Sequence, residues 1–157
     1  MKTAIAAIAA LALLPIAAAA EVNVSYSEDF TEELADNYGD REGPVLAQEI
    51  TEDLDRAFAK AGINPARVDV TIIDARPNRP TFDQLRHTPG LDMHRSRSIG
   101  GMKLQATAYD SDGGVMGSKE YGWFENDIRQ VIGSATWTDA KRASDRFARK
   151  FAKDLAS

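Results

Sequence analysis

The chain has 157 residues, no cysteine and a formal net charge of −5 at pH 7. This length is typical of a single domain with its own core, and the lack of cysteine excludes disulfides and a lipidated cysteine. The overall acidity argues against nucleic-acid binding.

Residues 1–20 have the pattern of a secretory signal peptide. Lys2 supplies a positive N-terminal region, residues 4–14 are apolar, and three alanines precede Glu21. The apolar run is shorter than the roughly 20 residues that a membrane-spanning helix needs. We therefore predict cleavage before Glu21, export to the bacterial periplasm, and one mature domain over residues 21–157 with no stable membrane insertion.

Apolar residues that alternate with polar ones predict four β-strands. The predicted strands cover residues 22–26, 68–72, 102–109 and 115–124. Residues 110–114, DSDGG, join the last two strands and have the composition of a tight hairpin turn. Because the strands have one apolar face, we expect a sheet that is covered on one side only.

Apolar residues at helical spacing predict two main helices. The first covers residues 44–61 and ends at Gly62, and the second follows Thr136, a predicted N-cap paired with Asp139. Residues 28–40 are irregular, with spacing for one or two helical turns. The predicted fold class is an α+β two-layer sandwich, with a four-stranded mixed sheet and two helices on one face, in the order β-α-β-long loop-β-β-α.

A long basic segment, residues 74–101, separates the second and third predicted strands, and we call it the basic loop. It has no strand or helix period, and connections of more than about 12–15 residues are usually functional or disordered. Its prolines and apolar residues favour an ordered loop, and arginine offers planar, bidentate donors to carboxylate and phosphate. We therefore expect it to bind an anionic ligand or a protein partner. The candidate residues are Arg76, Asn78, Arg79, Arg86, His87, Asp92, His94, Arg95 and Arg97.

The composition of the basic loop leaves other hypotheses open. His87 and His94, with Asp92 or Asp83, provide too few ligands for a typical zinc site, so we predict no metal and no cofactor. A small envelope hydrolase would use His94 and Asp92 with a loop serine, although no nucleophile motif is present. A structural envelope protein that associates through its open sheet face is a third alternative. The loop arginines could also pair with the acidic residues of segment 28–55 and simply hold the loop in place.

Four segments of the chain resemble a group of small secreted proteins of unknown function from Gram-negative bacteria. The segments are DARPNRPTFDQL, PGLDMHRSRSIGG, the DSDGG hairpin and TWTDAKRASDRFARKFAKDL. More loosely, the element order and the closing W-x-D-A helix are similar to periplasmic envelope lipoproteins, although this chain has no cysteine to lipidate. The resemblance brings no reaction, cofactor or catalytic residue. We therefore expect a non-enzymatic periplasmic domain whose basic loop binds an anionic envelope component or a periplasmic protein.

Overall fold

The computed structural model describes residues 19–157, so the predicted signal peptide lies almost wholly outside the described residues. The strands are β1 (Glu21–Tyr26), β2 (Arg67–Arg76), β3 (Gly101–Tyr109) and β4 (Val115–Phe124). The α-helices are α1 (Glu28–Glu33), α2 (Glu42–Ala61), α3 (Phe82–His87) and α4 (Thr138–Leu155). A π-helical segment covers Leu34–Tyr38 and a 3-10 turn covers Ile128–Val131. None of the helices in the described part of the chain has the length and apolar character needed to cross a membrane.

The four strands form one mixed sheet in the order β1-β2-β3-β4. β1 is parallel to β2, and the other two neighbouring pairs are antiparallel. This arrangement follows from the connections, because a helix can carry the chain back to a parallel strand whereas a tight turn cannot. In the turn between β3 and β4, the Asp110 carboxylate accepts the backbone N–H groups of Asp112 and Gly114. The predicted α+β sandwich and its mixed sheet are confirmed.

Helices α2 and α4 cover one face of the sheet and close a single core. Leu46, Ile50 and Leu54 of α2 are fully buried, as are Phe147 and Phe151 of α4. Burial of each such side chain contributes about 1.5–3 kcal/mol before the conformational entropy cost is counted. These helices therefore provide a rigid body on which the connecting segments can be placed.

The opposite face of the sheet is exposed and polar. Lys103 of β3 and Glu120 of β4 form an ion pair of 2.9 Å on this face, and Thr71 lies beside Gln105 in the register of β2 and β3. Stable association through a surface normally uses an apolar centre. This face offers little support for association through the open sheet.

Two predicted helix starts differ from the structure. α2 begins at Glu42, not Pro44, and its first turn includes Gly43, where a Cβ would lie 2.9 Å from the Tyr26 hydroxyl oxygen. α4 begins at Thr138, so the predicted Thr136 N-cap is wrong. The expected pairing of Thr136 with Asp139 is absent because a side chain from the basic loop caps this helix instead.

The boundaries of the basic loop also need correction. β2 continues to Arg76, so the first three residues of the predicted loop belong to the sheet. The loop also contains a helix, α3, which the sequence did not predict because this segment has no run of apolar residues at helical spacing. Thr81 begins α3 with a capping box, in which its side chain accepts the N–H of Gln84 and the Gln84 side chain accepts the N–H of Thr81.

Candidate functional site

The base of the basic loop is fixed by Asn78, whose side chain is 0 % exposed. Its Oδ1 accepts the backbone N–H of Asp139 in the first turn of α4, at 2.8 Å, and its Nδ2 donates to the Asp139 carboxylate. Its own backbone N–H donates to the Thr136 carbonyl at 2.7 Å, and its carbonyl accepts the N–H of Ser98 at 3.0 Å. Asn78 therefore joins both ends of the loop to the start of α4, and it caps a helix 61 residues away.

Gly100 and Arg142 complete the surroundings of this amide. A Cβ at Gly100 would lie 2.8 Å from both side-chain polar atoms of Asn78, so only glycine fits beside it. Arg142 Nη1 donates to the buried Asp139 carboxylate at 2.9 Å, which compensates its charge. The buried polar groups are thus hydrogen-bonded, as an interior site requires.

Arg79 holds the outer part of the loop against the body. Its guanidinium donates to the carbonyl oxygens of Ser134, Met93 and His94, with the His94 bond at 2.6 Å. These acceptors are all backbone groups, not acids. Arg79 therefore has a structural role that the charge pattern alone did not predict, and its Nε and Nη1 donors are occupied.

A tight turn at residues 92–96 presents the next side chains. Asp92 Oδ1 accepts the backbone N–H groups of His94 and Arg95, both at 2.8 Å, and Ser96 Oγ accepts the N–H of Asp92 at 2.9 Å. The N–H groups of Arg95 and His94 hold the pKa of Asp92 below its ordinary value. Asp92 thus shapes the turn and remains ionised.

This turn does not resemble a hydrolytic site. The Asp92 oxygen that accepts hydrogen bonds is occupied by main-chain groups, and Ser96 is bonded to the same turn. Within residues 19–157, the His94 ring forms no hydrogen bond to Asp92 or to a serine. The turn therefore does not hold a nucleophile, a base and an orienting acid that are hydrogen-bonded to one another, as a catalytic triad requires.

Three arginines of the outer loop face solvent. Arg86, Arg95 and Arg97 are exposed, and none of them has an ion pair with any residue that the structure describes. His87 and His94 are exposed beside them. The alternative pairing of the loop arginines with acidic residues of segment 28–55 is not found among the described residues.

Arg76 is separate from this group. It pairs with Asp74 at 3.0 Å, and its guanidinium carbon lies 4.9 Å from the centre of the Phe124 ring. Both contacts lie at the end of the sheet, and the side chain is largely exposed. Arg76 therefore remains available at the surface, whereas Asn78 is fully buried and cannot contact a ligand bound at the surface.

Beside the outer loop lies a cleft with a volume of about 530 Å³, which we call the loop cleft. Four of its lining residues are buried, namely Pro80, Thr81, Ser134 and Trp137, and Phe82, Met93 and His94 are exposed at its edge. The Trp137 indole N–H donates to the Glu42 carboxylate. The cleft is thus a concave, largely apolar surface with charged groups nearby, as binding clefts commonly are.

A second cleft, of about 520 Å³, lies on the other side of Phe82 and is lined by Tyr38, Asp83 and Arg86 among others. Burial, together with the negative charges of Glu33 and Asp74, raises the pKa of Tyr38 to about 12, so its phenol is neutral at physiological pH. Tyr38 packs edge-on against Trp137, with ring centres 5.6 Å apart. The aromatic pair stabilises the wall between the two clefts.

The structure adds Phe82, Met93 and Trp137 to the candidate residues. Residue type alone does not show that Phe82 and Met93 are exposed or that the buried Trp137 lies in the wall of a cleft, so the sequence did not identify them as site residues. The only signal was the capping pattern T-x-x-Q after Pro80, which would have placed Phe82 on a short surface helix. Within the described residues, no group of three or more His, Cys, Asp or Glu side chains is placed to hold a metal ion.

Comparisons with known proteins show no family for the chain. No family model matches the sequence, and no curated protein matches it. Among solved structures, the chain is similar to a protein named a "putative lipoprotein" from Caulobacter crescentus CB15, at 17 % identity and a TM-score of 0.36. The similarity covers 86 % of this chain and 87 % of that one.

Proposed function

We propose that the protein is a non-enzymatic binding domain of the bacterial periplasm, which presents its basic loop to an anionic partner. The periplasmic location is supported by the signal-peptide pattern of residues 1–20. β1 begins at Glu21, directly after the expected cleavage position, so cleavage there would leave every strand of the sheet intact.

The observation that carries this proposal is the exposure of Arg86, Arg95 and Arg97 without ion pairs to described residues. The chain has 24 acidic residues, so suitable partners for surface arginines are abundant within it. Guanidinium groups that stay free in such a chain are available to carboxylates or phosphates of another molecule.

The hydrogen bonds that hold the loop against the rest of the domain support the same function. Asn78 fixes its base and Arg79 binds the carbonyl oxygens of the turn that carries Arg95. A surface that is ordered before binding loses less conformational entropy when the partner arrives. The arginines are therefore presented in a prepared arrangement.

The proposal is tested with fluorescent polyglutamate as an anionic probe, its affinity measured by anisotropy. Replacing Arg95 and Arg97 by alanine should weaken binding about three- to tenfold, because each exposed charge contact contributes about 0.2–1 kcal/mol. The wild-type affinity should fall between about 0.05 M and about 0.5 M salt, and the difference between the two proteins should narrow, since salt screens exposed charges.

The matched control replaces Lys60 and Lys153, two exposed cations at the C-terminal ends of α2 and α4. Lys60 lies near the far end of the 20-residue α2 from Glu42, about 30 Å away. This control should bind like the wild type. Equal weakening in both variants would contradict the proposal. A fall of more than about 2 °C in the melting temperature of the arginine variant would also contradict it, because surface changes normally stay within about 0.5 kcal/mol.

A further inference from the structure

The exposed arginines lie next to exposed apolar side chains, and this combination narrows the class of partner. Phe82 is 71 % exposed and Met93 is 37 % exposed, and both line the loop cleft. Ile132, which precedes the cleft residue Gly133, is 67 % exposed. Single exposed apolar residues are common on protein surfaces, but several around one concave site are typical of an interaction surface.

The interior of the cleft is suited to an apolar group. Trp137 is 4 % exposed and forms part of the wall together with Pro80. The two charged groups in the lining already have partners, because Glu42 accepts the indole N–H of Trp137 and Arg79 donates to backbone carbonyl oxygens. An apolar side chain that enters beside Phe82 and Met93 would bury its surface against Trp137 and Pro80, which favours binding.

The charges around the cleft determine what should flank that apolar group. His94 lines the cleft, Arg95 follows it, and Arg97 is two residues further along the same exposed segment. Arg86 lies on α3, the helix that begins with Phe82. Residues 79–97 also contain Asp83 and Asp92, but the four arginines of this segment outnumber them. Acidic groups on either side of an apolar anchor would therefore be complementary to this segment.

We propose that the loop cleft binds an acidic segment of a partner protein, with an apolar side chain inserted beside Phe82 and Met93. This inference rests on the proposed function and specifies its partner. The acidic residues contact the loop arginines, and the apolar anchor packs against Trp137. A membrane surface fits less well, because lipid binding uses protruding apolar groups and not the inside of a concave cleft.

The test uses two short acidic peptides that are identical except for a central leucine or serine, with affinity measured by anisotropy. The leucine peptide should bind about tenfold more tightly to the wild type, because it buries one more apolar side chain. Phe82→Ser and Met93→Ser should each abolish that preference, while the affinity for the serine peptide should stay unchanged. Two independent variants guard against a local folding defect in one of them.

The matched control is Val115→Ser. Val115 is 65 % exposed and pairs with Tyr109 at the hairpin end of β3, about 30 Å from the loop end of that strand. It should keep the full preference for the leucine peptide. Loss of the preference in this variant would overturn the assignment to the cleft.

The outcomes separate this inference from the proposed function. Suppose that both peptides bind the wild type with equal affinity, and that the double variant Arg95→Ala, Arg97→Ala binds both less tightly. The proposed apolar anchor is then wrong, while the basic loop still binds anions. If neither peptide nor polyglutamate binds, both proposals fail. If vesicles of anionic phospholipid bind and the leucine peptide does not compete with them, a lipid surface replaces the protein segment as the partner, which overturns the inference.

Discussion

At the scale of single residues, Asp53 is an acidic side chain placed where an apolar one would be expected. It lies on the core side of α2 and is 3 % exposed. Its Oδ1 accepts from Arg56, whereas its Oδ2 has no hydrogen-bond partner among the described residues. Burial raises the pKa of Asp53, the Ser144 hydroxyl and Arg56 oppose that rise, and Glu49 and Asp145 add to it. Ionised Asp53 therefore lowers the stability of the fold.

We predict that Asp53→Asn stabilises the protein at neutral pH. The folded pKa of Asp53 lies above the unfolded value of about 3.9, so the folded state binds the proton first as pH falls. Ionised Asp53 therefore destabilises the folded state at neutral pH. This destabilisation disappears as the pH falls through the pKa that Asp53 has in the folded protein. Urea unfolding should show the variant to be more stable at neutral pH, and the difference should shrink towards about pH 4. Asp55→Asn, an exposed neighbour on the same helix, should change little at either pH.

At the scale of elements, Asn78 couples the basic loop to α4. Asn78→Ala would leave the N–H and carboxylate of Asp139 without their amide partner inside the protein. Each buried polar group left unpaired costs about 1–3 kcal/mol, so we predict a loss of about 2–4 kcal/mol in the free energy of unfolding. Denaturant titration measures this loss. Asn37→Ala, which removes an exposed amide bonded to Glu33, is the control and should cost no more than about 0.5 kcal/mol. Equal midpoints for the two variants would show that the Asn78 contacts do not stabilise the fold.

The sequence carried enough information for the main elements but not for the loop. Periodicity predicted the four strands and both long helices because their side chains repeat the same environment many times. α3 has only six residues, too few for a period to appear. The local sequence pattern indicates Thr136 as the N-cap of α4. It contains no information about a capping side chain from a distant segment, such as Asn78. For the site, residue type indicated arginine and anions, but it could not show that Arg79 faces carbonyl oxygens or that Phe82 is exposed.

At the scale of the whole molecule, the sequence pattern predicts that the mature chain begins at Glu21. The backbone N–H of Glu21 donates to the Ala66 carbonyl at 3.0 Å, at the start of the pairing between β1 and β2. An α-amino group at this position could still donate the same bond. Mass spectrometry of protein recovered from the periplasmic fraction should give the mass of residues 21–157. Intact Met1 in that fraction, or retention of the protein in the inner membrane, would be incompatible with this prediction.

The link between Asn78 and Asp139 also has a consequence for the order of events during biosynthesis. The two residues are 61 positions apart, so the loop emerges well before the helix that anchors it. Until α4 has been made and has docked, the amide of Asn78 has no helix to cap, and the arginines have no fixed arrangement. Long-range contacts of this kind form late, because closing the intervening chain costs entropy first. A nascent or truncated chain would therefore lack the prepared surface, and recognition would be confined to molecules whose last helix is in place.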